Sequence, residues 1–150
     1  MARAYELTRD ELSETAKRLR RQRERLQRAV LGVEGTELTG HPRDRLPGLL
    51  SVVVRETDGN ELVLALDLEG VAAAIGSACT SGSTDPSHVL AAMGFPEEEA
   101  RGSLRLSLGR ATTDADVDAA AEIVPRVLAR IRPAASGEPV ILEPVETVAR

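Results

Sequence analysis

The stretch "GSACTSGSTDPSHVL", Gly76 to Leu90, holds the sequence's single cysteine, Cys79, among glycine, serine and threonine. A thiol acts as a nucleophile through its thiolate, so a reactive cysteine needs exposure together with a nearby positive charge or helix N-terminus. Gly76 and Gly82 permit unusual backbone angles, and the hydroxyl side chains keep the segment hydrated. Asp85-Pro86 has the form of an N-cap followed by proline at the first helical position. The sequence therefore predicts a mobile, wet loop whose thiol faces the start of a helix running from about Pro86 to Met93 and stopped by Gly94. Free cysteines are more often small buried apolar side chains, and these neighbours are wrong for burial.

Other chemistries find less support. One cysteine and two distant histidines, His41 and His88, give no zinc-ligand spacing. "GSACTSGS" lacks the Gly-Lys-Ser/Thr ending of a phosphate-cradling loop. The histidines read as a turn residue and a helix residue. Lys17, the one lysine, lies in an arginine-rich helical segment rather than the apolar pocket that an imine-forming lysine needs. A second candidate is Arg105 in "GSLRLSLG", where Leu104, Leu106 and Leu108 alternate with Ser103, Arg105 and Ser107. Period-two alternation marks a half-buried strand with Arg105 on the face opposite the leucines. On the residues alone, that guanidinium is equally a solvated strand side chain or a binding group.

Several elements must position these groups. From Thr8, "TRDE" resembles a capping box, after which Leu12, Ala16, Leu19, Leu26 and Val30 recur at helical steps until Gly32. A short extended piece at Thr36 to Leu38, the turn-rich "GHPRDRLPG" and the β-branched strand "LLSVVV" follow. "TDGN" reads as a turn, "ELVLALDLEG" as a helix closed by Gly70, and "VAAAI" as a short strand entering the cysteine loop. "TTDADVDAAAEIVPRVLARI" opens with a Thr/Asp cap and places Val117, Ala120, Val124, Leu128 and Ile131 on one stripe, with Pro125 expected to kink or divide the helix. Runs of helix and strand without strict βαβ alternation imply an α+β fold, a small, mostly antiparallel sheet covered by helices, with the two long helices packed together. Residues 1–132 make one domain; 133–150, proline-bearing and without period, read as a flexible tail.

At 150 residues and 42% hydrophobic, the chain has material for one core. Tyr5 and Phe95 are its only aromatic residues, too few for base-stacking platforms. Net charge is −5, yet residues 1–30 are basic. Arg18, Arg20, Arg21, Arg23, Arg25 and Arg28 read as a solvated helix face rather than a nucleic-acid surface. A lone thiol, no apolar run of membrane length and a charged start point to a cytoplasmic protein with no membrane partner.

"GSACTSGSTDPSHVLAAMG" and "RGSLRLSLGRATTDADVD", preceded by "GHPRDRLPG" and "ELVLALDLEGVAAAI", resemble the C-terminal part of cysteine desulfurases over about residues 10 to 132. These are pyridoxal-phosphate (PLP) enzymes that take sulfur from L-cysteine, of the class with a long catalytic loop. The resemblance implies the small domain of a fold-type I PLP enzyme. It also implies that Cys79 is the nucleophile, receiving sulfur as a persulfide and leaving alanine, and that Arg105 holds the substrate carboxylate through its paired donors. A mobile loop would then let the thiol collect sulfur inside a pocket and deliver it to an acceptor or scaffold protein, as in iron-sulfur cluster assembly. Ser51 stands where the family often has asparagine, and Ile75 replaces a small hydroxylated residue. The family's PLP-binding large domain has no counterpart in these residues, so the chain is expected to bind no cofactor alone and to work with that domain, or with an intact desulfurase, as partner. A stand-alone persulfide carrier or regulator and an inactive remnant are the alternatives.

Overall fold

Helix-forming residues run without a break from the N-terminus to Leu31, and a single helix, α1 (Ala2–Leu31), results. It begins upstream of the expected start at Thr8. Ala2 to Leu7 continue the helix backwards, and the Thr-x-x-Glu pattern falls inside it, because such a pattern caps only where the preceding residues leave helical geometry. This computed structural model describes residues 2–76 and 87–132. Strands β1 (Thr36–Leu38) and β2 (Leu49–Val54) form where expected, and so does β3 (Ser103–Ser107). They make an antiparallel sheet in the order β1-β2-β3.

Asp58 caps α2 (Gly59–Leu68) by accepting from the Asn60 N–H at 2.7 Å, so half of the expected "TDGN" turn belongs to the helix itself. Gly70, at φ 81°, ends this segment in the left-handed geometry that favours glycine. The next helix, α3 (His88–Ala92), is preceded by Ser87; the expected Asp85-Pro86 start lies outside the described residues. A short helix that the sequence pattern did not suggest, α4 (Glu97–Arg101), follows Pro96. Helix α5 (Asp114–Ile131) opens with a full capping box between Thr113 and Asp116. The Thr113 backbone N–H, and then its hydroxyl, hold the Asp116 carboxyl below its ordinary pKa. Of the two outcomes expected at Pro125, a kink or a division, the division does not occur: α5 runs through it as one helix.

Alternation along the strands sorts the sheet into two faces. Leu50, Val52 and Val54 of β2 and Leu104 and Leu106 of β3 enter the main core with Leu26 and Val30 of α1, Leu62 and Leu66 of α2, and Val117, Val124 and Leu128 of α5. The opposite face carries Val53, which packs with Leu90 of α3, Phe95 and Ala100 of α4. The two long helices pack together as expected, and they are parallel. Arg18 of α1 donates to the Thr112 carbonyl, Arg25 pairs with Asp114 and Asp118, and Arg132 donates to the Glu34 carbonyl, each step advancing along both helices. The arginine face is thus not simply solvated: Arg23 is 3% exposed and donates to the Leu46 carbonyl at 3.2 Å. Burial, and then the charge of Arg23, lower the pKa of Arg45.

Candidate functional site

Arg105 lies in the middle of β3 on the face that α1 and α5 do not cover. Its backbone N–H donates to the Ala74 carbonyl at 2.7 Å and its carbonyl accepts from the Ala74 N–H at 3.0 Å. Both of its backbone groups therefore face Ala74, and its antiparallel pairing with Ser51 on β2 is the non-hydrogen-bonded kind, in which side chains approach most closely. The "VAAAI" segment makes only this isolated bridge and no full strand.

The row continues across the sheet. Thr39, just past β1, is 6% exposed; its N–H donates to the Ser51 carbonyl at 3.0 Å and its Oγ1 donates to Ser51 Oγ at 2.8 Å. Two residues back along β3, on the same face, the backbone N–H of Gly76 donates to Ser103 Oγ at 3.1 Å. Thr39, Ser51 and Arg105 thus form a polar row, flanked on one side by the apolar contacts of Val53 with Leu90 and Ala100. Arg105 is half-buried, and among the described residues its guanidinium makes no hydrogen bond or ion pair. A half-buried guanidinium without a protein acceptor has donors available for an anion. Ser51 entered the sequence reading only as a substitute for asparagine, and Thr39 not at all. Their signal was register, since both sit in or beside strands whose pairing sets them next to Arg105.

Cys79 lies outside the described residues, three positions beyond Gly76. His41 is a turn residue: its Nδ1 accepts from the backbone N–H groups of Arg43 and Asp44, at 3.2 and 2.8 Å. His88 is exposed at the start of α3. No group of three or more metal-ligating side chains occurs among the described residues. None of their helices is long and apolar enough to cross a membrane.

The cofactor that the resemblance implies needs a lysine to form its imine. Lys17 does not fit: it is exposed, pairs with Glu14 at 2.9 Å, and projects from α1, on the other side of the sheet from Arg105. Among the described residues, Arg105 presents a half-buried guanidinium, and Lys17 is not placed to form an imine beside it.

Comparison with known proteins identifies the family. The chain is 47% identical over 129 residues to cysteine desulfurase IscS 1 of Archaeoglobus fulgidus, covering 86% of this chain and 34% of that protein. It is 45% identical over 137 residues to the IscS-like cysteine desulfurase of Mycobacterium tuberculosis, covering 90% and 35%. Among solved structures, the NifS-like protein of Rickettsia africae superposes with a TM-score of 0.69 at 26% identity, over 81% of this chain and 31% of that one. A second NifS-like protein gives 0.70 at 29% identity, over 85% and 32%. The aminotransferase TlmJ of Streptoalloteichus hindustanus, at 22% identity and a TM-score of 0.62, shares the fold. The chain spans about a third of the length of the curated relatives it matches. The family model for aminotransferase class-V matches residues 2–120, and the chain belongs to that family.

Proposed function

We propose that this chain is the C-terminal, small-domain portion of a cysteine desulfurase, carrying the sulfur-accepting thiol and the carboxylate anchor. It works with a PLP-bearing domain that these 150 residues do not contain. The Cys79 thiolate attacks the sulfur of L-cysteine; the S–S bond forms as the Cβ–S bond breaks, and the electron pair stays on carbon, where a proton completes alanine. The sulfur is thereby oxidised and the carbon reduced, so no outside oxidant enters. The persulfide then passes to an acceptor in iron-sulfur cluster assembly or another route of sulfur delivery, in a reducing cytoplasmic setting.

The observation that carries this reading is the guanidinium of Arg105, unpaired among the described residues and two positions along β3 from Ser103, to which Gly76 is bonded where the Cys79-bearing segment leaves the described fold. Chain connectivity keeps Cys79 within roughly 11 Å of Gly76, so thiol and anchor serve one neighbourhood. The test incubates the purified chain with L-cysteine and a complete PLP-loaded desulfurase, followed by mass spectrometry under non-reducing conditions. One added sulfur atom on Cys79, lost in Cys79→Ser, is expected. With free PLP and L-cysteine but no second protein, no sulfide is expected. An adduct that persists in Cys79→Ser, or sulfide release by the chain alone, overturns the reading.

A further inference from the structure

We propose that Ser51 is a second carboxylate-contacting residue beside Arg105, with Thr39 as the positioning residue that turns the Ser51 hydroxyl toward the ligand. The proposal rests on the reading of Arg105 as a carboxylate anchor and adds the group that completes its site.

Register places Ser51 and Arg105 side by side on one face in a close, non-hydrogen-bonded pair. Guanidinium groups only donate. A serine hydroxyl both donates and accepts, and here one of its two lone pairs is taken by Thr39 Oγ1 at 2.8 Å. Thr39 is nearly fully buried, so this bond is held in place by packing rather than traded with solvent. With Thr39 donating, the Ser51 hydroxyl keeps its own proton to offer, together with one lone pair. Two donors therefore stand adjacent on a half-buried surface, with no protein acceptor paired to Arg105 among the described residues. The ligand chemistry that answers two neighbouring donors is an anion with two oxygens about 2.2 Å apart, which is a carboxylate. On this face Glu37 of β1 is engaged by Arg55 at 3.0 Å, and Glu99 of α4 by the same guanidinium at 3.5 Å. An asparagine at position 51 would present a side-chain N–H in the same place, so it would preserve the function by different atoms.

The experiment uses the full 150-residue chain, labelled with nitrogen-15 and titrated with L-alanine and L-alaninamide while the Arg105 Nε–H resonance is followed by NMR. Dispersed amide spectra establish that each variant folds. L-Alanine is expected to shift the Arg105 resonance saturably, and L-alaninamide, which lacks the carboxylate, is not. Ser51→Ala should weaken L-alanine binding about tenfold, as for loss of a hydrogen bond to a charged group. Thr39→Val, which leaves the serine in place but frees it to rotate, should weaken binding about threefold, and Ser51→Asn should stay within about threefold of the parent. If Arg105→Gln loses binding while Ser51→Ala keeps it, the proposal fails and the Arg105 reading survives. If the unsubstituted chain gives no saturable Arg105 shift, or L-alaninamide binds as well as L-alanine, both fail.

Discussion

The backbone N–H of Gly76 donates to the Oγ of Ser103 at 3.1 Å, which fastens the last described residue before the Cys79 segment to the strand that carries Arg105. Glycine allows this close approach, since a Cβ at position 76 would stand 3.1 Å from that same oxygen and oblige Ser103 to shift by a few tenths of an ångström. Ser103→Ala removes the acceptor inside a site that is 6% exposed, at a cost of about 1 kcal/mol. Amide hydrogen exchange at Gly76 should accelerate about fivefold, while Arg105, bonded to Ala74, keeps its protection. Unchanged exchange at Gly76 would show that the bond contributes nothing to the tether.

Leu104 is fully buried at the centre of the main core. Leu104→Ala should destabilise the chain by about 2–5 kcal/mol, through lost apolar burial plus the cavity left behind. Ser107→Ala, at the exposed end of the same strand, should move stability by less than about 0.5 kcal/mol. Urea denaturation of the two variants decides it, and equal midpoints would contradict the two-faced sheet.

Glu69, just past α2, bonds Arg126 at 2.9 Å and Arg130 at 3.1 Å, clasping that helix to α5. The donor from Arg126, and then Arg130, hold its carboxyl below the ordinary glutamate value of 4.5. A depressed folded-state pKa adds stability that is present above the ordinary value and is lost as pH falls through the folded one. The parent chain should therefore lose more stability than Glu69→Gln when acidified from pH 7 through this window. Parallel acid-titration curves for the two proteins would exclude the clasp as a pH-sensitive contact.

Pro125 lacks the N–H that would bond the Ala121 carbonyl, yet α5 continues through it. Pro125→Ala restores that donor, and the gain exceeds the added freedom of the unfolded chain. A rise in stability of about 1–2 kcal/mol is expected, read from thermal or urea unfolding. A loss would mean that neighbouring groups depend on the bend of the ring.

Much of the fold was legible because the strands alternate plainly. Leu104 and Leu106 against Ser103 and Arg105 announced β3, and Thr113 with Asp116 announced the start of α5. The first turn of α1 was not, because a Thr-x-x-Glu spacing caps a helix only if the chain bends before it, and bending leaves no mark on Ala2 to Leu7. Helix α4 escaped notice because five residues are too few to display a period. Arg23 looked like its solvated neighbours until the segment around Leu46 was seen to close over it. Arg105 was legible as a residue and not as a site. Its neighbours Ser51 and Thr39 come from 54 and 66 positions upstream, and only strand register makes them adjacent.

Arg105 is the stationary reference of this architecture, its backbone bonded twice to Ala74 on one side and set beside Ser51 on the other. The ten intervening positions from 77 to 86 join that reference at one end and Ser87 at the other. Under the proposed function, natural selection could lengthen, shorten or rewrite them to suit a new recipient without disturbing the strand that carries Arg105.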